Sequence, residues 1–193
     1  MKKKLLLLAS LAICVATIAT GTLAYFNAED KAHNVITSGN VDIELVETTD
    51  QLDADGNPIP FENLSGIMPG MEVSKIVQVK NIGEGDAYVR VKVETVINMA
   101  TGSNAVPDYD QITIDYALGS DAKKWTEKDG YFYYNSPIKP GELTEELFTE
   151  VAFDELMGNE YQNCEVIVNV IAHATQVAHN GSSAVDAAGW PEL

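Results

Sequence analysis

The feature that most constrains this chain is an alternation of apolar and polar residues with period two, repeated along most of its length. Side chains on a β-strand point to opposite faces in turn, so such runs read as strands with one buried face. From Ala87 to Glu94 the residues Ala87, Val89, Val91 and Val93 form one face, while Tyr88, Arg90, Lys92 and Glu94 form the other. Val41, Ile43 and Leu45 alternate in the same way with Asp42 and Glu44. Further runs cover 73–80, 111–118 with Ile112, Ile114, Tyr116 and Leu118 on one face, 131–134 and 165–175, which makes at least six strands. Turn residues separate them: Asp53-Ala54-Asp55-Gly56-Asn57-Pro58, Met68-Pro69-Gly70, Asn81-Ile82-Gly83-Glu84-Gly85-Asp86, Asp129-Gly130 and Lys139-Pro140-Gly141-Glu142. Glycine supplies positive φ and proline presets the turn.

Many strands with no long helix between them predict an all-β fold, an antiparallel jelly-roll-like β-sandwich with short helices or loops. Within 143–153 the residues Leu143, Leu147, Phe148 and Val151 also fit a helix face, but 149–153 is expected to be a strand. Residues 99–110 read as an exposed loop. The Ala- and Ser-rich stretch 182–190 is expected to form one or two helical turns capped by Ser182 or Ser183, with Trp190 as its anchor.

The first residues bear on compartment. Lys2 to Lys4, an apolar run to about Ala19 and the small residues Thr20-Gly21-Thr22-Leu23-Ala24 form the three parts of a secretory signal peptide. Cleavage is expected between Ala24 and Tyr25, leaving one domain over 25–193. An uncleaved anchor is the competing reading, since 5–24 is about the ~20 residues that span a bilayer. Cys14 follows Ile13 rather than a small residue, which argues against lipoprotein processing. The mature chain keeps 9 basic and 29 acidic side chains, a formal charge of −20. Such a chain repels phosphate backbones, so nucleic acid is not an expected partner. Cys164 alone remains after cleavage, so no internal disulfide can form and packing must hold the fold. Export without disulfides suits a monoderm, Gram-positive bacterium. The chain closes on Trp190-Pro191-Glu192-Leu193 without a wall-sorting signal, so the secreted protein is expected to be retained non-covalently.

No catalytic constellation is visible. Zinc hydrolysis needs several neutral imidazoles or carboxylates converging on one metal, whereas the chain has only His33, His173 and His179 and no HExxH pair. His173 and His179 are weak zinc candidates. On a strand His173 shares the face of Glu165, Asn169, Ile171 and Thr175, which predicts a partly solvated surface. Cys164 sits beside Glu165, whose charge is expected to raise its pKa and blunt it as a nucleophile. Asp53, Asp55 and Asn57 hint at calcium, but the spacing misses the EF-hand pattern, since Gly56 is fourth from Asp53 and the twelfth position is Leu64. A plain Asp-Gly turn fits better. Neither a phosphate loop nor a Gly-x-Ser-x-Gly elbow is present.

The junction after the leader stands out. Tyr25-Phe26 precedes a polar stretch and then Val35-Ile36-Thr37-Ser38-Gly39-Asn40, which runs into the first alternating strand. A newly cut apolar end can add to another molecule's sheet edge. It can equally pair within its own sheet or fray.

With Gly21-Thr22-Leu23-Ala24-Tyr25-Phe26-Asn27 followed by Ile36-Thr37-Ser38-Gly39-Asn40-Val41-Asp42-Ile43, the sequence resembles the TasA/camelysin family of exported bacterial biofilm-matrix proteins, which carry a SipW-type signal peptide. Met68-Pro69-Gly70-Met71-Glu72-Val73 and Val77-Gln78-Val79-Lys80-Asn81-Ile82-Gly83 are similar to the family's hairpin. So are 87–91, the aromatic run 131–135 with Lys139-Pro140-Gly141-Glu142, and the late strand Ala172-His173-Ala174-Thr175-Gln176. The resemblance implies a jelly roll, a leader removed by a dedicated signal peptidase, and self-assembly into extracellular matrix fibres. In such fibres the mature N-terminal strand of one subunit completes the next. Carried over, 25–36 is the donor strand, and Tyr25, Phe26, Val35 and Ile36 form the assembly interface of a head-to-tail homopolymer, with a minor fibre subunit as a further partner. Family members have also been labelled metallo-endopeptidases, which keeps a secreted zinc peptidase as an alternative. A monomeric adhesin-like module using exposed Trp125, Tyr131 and Tyr133 is another. The first expectation is a non-enzymatic subunit without a cofactor.

Overall fold

The computed structural model describes residues 35–38, 41–62, 68–101, 103–161 and 163–191. These belong to the compact unit Asn34–Leu193; the unit Met1–His33 lies outside them. Eleven strands run through the described residues in chain order: β1 (Val35–Ser38), β2 (Ile43–Leu52), β3 (Pro58–Pro60), β4 (Glu72–Ser74), β5 (Ile76–Asn81), β6 (Ala87–Asn98), β7 (Ile112–Thr113), β8 (Trp125–Lys128), β9 (Tyr131–Tyr134), β10 (Glu150–Phe153) and β11 (Glu165–Gln176). Single 3₁₀ turns occur at Tyr109–Gln111 and Asn159–Tyr161. The fold is all-β, as the alternation requires.

The strands form a five-stranded sheet, β1-β11-β6-β9-β8, and two three-stranded sheets, β4-β10-β7 and β3-β2-β5. The spine is the antiparallel β6–β11 pair, matched residue for residue from Ala87↔Gln176 to Asn98↔Glu165. Its inward faces carry Val89, Val91, Ala172 and Ala174, all without solvent exposure. They share one core with Val77 and Val79 of β5, Val73 of β4, Val151 and Phe153 of β10, and Trp125 of β8. Tyr116 stacks on Phe132 at 4.2 Å and meets Phe148 edge-on at 5.8 Å. Each such side chain contributes about 1.5–3 kcal/mol when fully buried.

Two turns show why their residues are needed. Asp129 and Gly130 both have positive φ, 52° and 77°, and join β8 to β9 through a two-residue hairpin, the geometry that matches strand twist. After β5 the chain folds around Asn81, which has no solvent exposure and donates from Nδ2 to the carbonyls of Gly85 and Ile138. Its Oδ1 accepts from the Gly83 amide, and a Cβ on Gly83 would lie 2.7 Å from the Asp42 nitrogen.

Several expectations change. The run 73–80 breaks at Lys75, whose amide donates to Thr149, so β4 pairs with β10 while β5 pairs with β2. Lys75 is buried, paired with Glu47 and 4.0 Å from the Phe61 ring. The run 111–118 is a strand only over β7. Beyond it Ala117 donates to Leu147 and Leu118 to Tyr116, so the ladder stops and Leu118 is left 45% exposed. The antiparallel rule fails at β1, which pairs parallel with β11 from Val35↔Ala172 to Ser38↔Thr175. The next strand, β2, lies in a different sheet, so no hairpin dictates the direction of β1. Residues 182–190 form successive tight turns, Asp186 to Ser183 and Ala187 to Ala184, in place of a helix. Ser183 still caps them, its Oγ accepting from the Asp186 amide at 3.3 Å.

Candidate functional site

Two places on the five-stranded sheet carry the residues of interest: its outer face and its β1 edge. On β11 alternate residues turn away from the core, which sends His173 and Thr175 to the outer face. The expected solvated histidine is wrong, since His173 has no solvent exposure. The reason is the C-terminal segment 177–191, which folds back across this face as a strap. Asn180 pins its near end, donating to the carbonyls of Gln176 (2.9 Å) and Ala188 (3.1 Å) and accepting from the amides of Gly181 and Ala188. Tyr88 donates its hydroxyl proton to Gly181 O at 3.0 Å, and Thr175 donates to Ala188 O at 3.1 Å.

The far end of the strap is held by Arg90. Its guanidinium carbon lies 3.9 Å from the Tyr131 ring centre and 4.9 Å from that of Trp190, so the cation sits against two aromatic faces. Nη2 donates to Pro191 O at 2.9 Å and Nε donates to His173 Nδ1 at 3.2 Å. Trp190 meets Tyr133 edge-on at 5.8 Å. Tyr88, Tyr133 and Ala184 form a second buried cluster here, separate from the main core.

Accepting a proton donor at Nδ1 makes His173 the neutral tautomer with its proton on Nε2. Burial, reinforced by the cations of Arg90 and Lys92, pushes its pKa down from 6.5 to about 4. These facts bear on zinc. A ligand needs a free lone pair and a surrounding of negative or neutral charge, whereas the Nδ1 lone pair points at Arg90 and the adjacent charges are positive. His173 therefore does not fit a zinc ligand. His179 is exposed in the turn after β11, with φ of 59°. Among the described residues no group of three or more His, Cys, Asp or Glu is placed to hold a metal ion.

The other candidates resolve similarly. Asp53 Oδ1 accepts from the amides of Asp55 (2.9 Å) and Asn57 (2.8 Å), so this carboxylate caps its own exposed turn. The Asn57 amide, more than any other contact, holds the Asp53 pKa below its usual value. Cys164 is buried, and burial rather than the charge of Glu165 raises its thiol pKa; Glu165 accepts from Asn98 instead. The adhesin reading loses its aromatics. Trp125 is fully buried, donating its indole proton to Glu146 O at 3.2 Å, Tyr133 is buried, and Tyr131 is half-buried against Arg90. A cleft of about 680 Å³ lies elsewhere, between β2–β3 and β4, with Asp50, Glu62, Glu72 and Glu150 around an apolar floor of Phe61 and Met71.

At the β1 edge, Val35 is half-buried and packs against the main core, and the backbone of Ile36 lies opposite His173. Both residues thus pair within their own chain. β1 covers β11 only from Ala172 to Thr175, while β6 pairs with β11 along its whole length. Among the described residues, nothing pairs with Glu165 to Ile171 on the β1 side. The cleavage residues Ala24 and Tyr25, the interface residue Phe26 and the rest of 25–34 lie outside the described residues. Sequence reading missed Arg90 as the hub of the outer face. The available signal was an arginine flanked at alternate positions by Tyr88 and Lys92 on a strand otherwise lined with valine.

The described residues thus form an all-β fold in which, among those residues, β11 carries no partner from Glu165 to Ile171 on its β1 side. The family model for camelysin metallo-endopeptidase matches residues 1–130. The chain belongs to that family, the TasA/camelysin family, whose members are extracellular or cell-surface proteins. No curated protein matches it. No helix among the described residues is long and apolar enough to cross a membrane.

Proposed function

We propose that this chain is a secreted, non-enzymatic structural subunit that polymerises head to tail into fibres of an extracellular matrix. Residues 1–24 are the leader, a signal peptidase cuts between Ala24 and Tyr25, and the freed segment 25–34 of one subunit adds to β11 of the next. The fibre is held at the cell surface non-covalently, and a minor subunit is a further partner. The observation that carries the reading is the stretch Glu165 to Ile171 of β11, which among the described residues has no partner on its β1 side. It lies directly upstream, in parallel register, of the four residues that β1 already covers. A ten-residue donor is long enough to span it, satisfying open backbone groups and burying Tyr25 and Phe26 in a neighbour. Such a heterologous contact does not close and yields a filament. The charge of −20 per mature subunit opposes assembly at low salt, and added salt relaxes that opposition.

The test compares, by electron microscopy and sedimentation, the chain beginning at Tyr25, the same chain with a few residues added before Tyr25, and one lacking 25–34. Filaments from the authentic end alone support the reading. Filaments from the chain lacking 25–34 would exclude strand donation. The peptidase alternative rests on the family's description; stoichiometric zinc and proteolysis lost in a His173→Ala, His179→Ala double variant would favour it.

A further inference from the structure

The outer face holds a group that fibre assembly does not use. His173 is wholly buried, its Nδ1 accepts from Arg90, and its Nε2 has no hydrogen-bond partner among the described residues. The indole nitrogen of Trp190, the other terminus of the same cluster, is also buried without a partner among them. The far end of the strap is therefore tied down chiefly through Arg90, which binds Pro191 O and faces the Trp190 ring while resting on a neutral imidazole, with the Tyr133 ring edge-on to Trp190. The near end depends on Asn180, Tyr88 and Thr175, none of which bonds to His173.

We propose that the Trp190 end of the strap is an acid-released latch, closed while His173 is neutral and opened when it is protonated, with the Asn180 end staying docked. Protonation places a hydrogen on Nδ1, so that two donors face each other across the 3.2 Å contact with Arg90. It also adds a positive charge beside two others. Among the described residues, the groups facing the ring are Arg90 and Lys92 from β6, with Lys92 paired to Glu94, and Tyr131 from β9, whose ring centre is 5.7 Å away. Tyr133 and the strap's Trp190 and Pro191 O contact Arg90 in turn. From β1 only the backbone at Ile36 is described, opposite His173. No carboxylate in this set is free to neutralise the new charge, since Glu94 is committed to Lys92. Arg90 must move, and it carries with it the contacts to Trp190 and Pro191. What opens is a cationic, aromatic surface of Arg90, Tyr131 and Tyr133 on a strongly acidic chain.

Trp125 provides an internal reference, since its indole sits in the main core bonded to Glu146. The experiment follows both indole N–H signals and the Tyr133–Trp190 contact by NMR, together with the His173 ring nitrogens, on the mature chain at low ionic strength from pH 7 to about pH 3.5. The expected result is loss of the Tyr133–Trp190 contact in step with His173 protonation, while the Trp125 signal and the Tyr88–Gly181 end persist. A His173→Gln variant, whose amide oxygen can still accept from Arg90 but does not titrate, keeps the contact throughout. Three outcomes overturn the latch: the contact surviving His173 protonation, its loss while His173 is still neutral, or joint loss of both indole signals. Release from His173→Gln at the wild-type pH overturns it too. Should that variant not fold, coincidence of the two wild-type titrations decides.

Discussion

The two faces of the five-stranded sheet are built from the same strands and are buried by different means. The inner face is Val89, Val91, Ala172 and Ala174, an aliphatic surface covered by two other sheets. The outer face, one residue out of step, is Tyr88, Arg90, His173 and Thr175, covered by a strap of irregular backbone. The inner face is held by the area it removes from water, which is insensitive to pH and tolerant of small shifts. The outer face is held by hydrogen bonds and a stacked cation, which depend on protonation state and on each partner being present. Stability should therefore reside in the inner face, and any response to conditions in the outer one.

The comparison breaks most visibly at Trp125. Trp125→Ala empties the inner face and orphans the Glu146 carbonyl, and should cost about 4 kcal/mol in urea unfolding; a loss below about 1 kcal/mol would place the main core elsewhere. The next effect belongs to the outer face and to pH. The folded-state pKa of His173, about 4, lies below the 6.5 of a free imidazole, so as pH falls the unfolded chain takes up the proton first. The stability contributed is complete above pH 6.5, declines towards pH 4 and then levels off, for a total on the order of 3 kcal/mol as an upper bound. His173→Gln should remove that part of the pH dependence of the urea midpoint, and an unchanged slope would assign it to carboxylates. The smallest effect tests whether the strap merely lies on the sheet. Asn180→Ala removes bonds to residues 176, 181 and 188 and should cost about 1–2 kcal/mol, with faster amide exchange confined to 177–191. Exchange spreading into β6 would join the two faces into one cooperative unit.

Much of the inner face was legible from the alternation alone. The runs at 87–94, 131–134 and 165–175 became β6, β9 and β11, and the doubtful stretch 149–153 became β10. Asp129-Gly130 and Asn81 to Gly83 marked turns because their chemistry is local. The outer face was not legible. Period two says that Arg90 and His173 share a side, but it cannot say that a segment nearly a hundred residues after Arg90 will cover them. The same limit explains Lys75, whose break in the 73–80 run depends on Glu47 and Thr149. It also explains β1, whose parallel partner lies more than 130 residues away.

By itself, then, the sequence determined an all-β chain, the positions of its main strands and tightest turns, and a strongly acidic surface. These follow from residue-by-residue periodicity, backbone preference and counting. Only the tertiary structure decided that β1 lies parallel on β11 and covers it from Ala172 to Thr175, that the histidine expected on a wet surface is buried and neutral against Arg90, and that the C-terminal segment is a strap. Each of those depends on which distant backbone comes to lie alongside, and side-chain pattern carries no record of that choice.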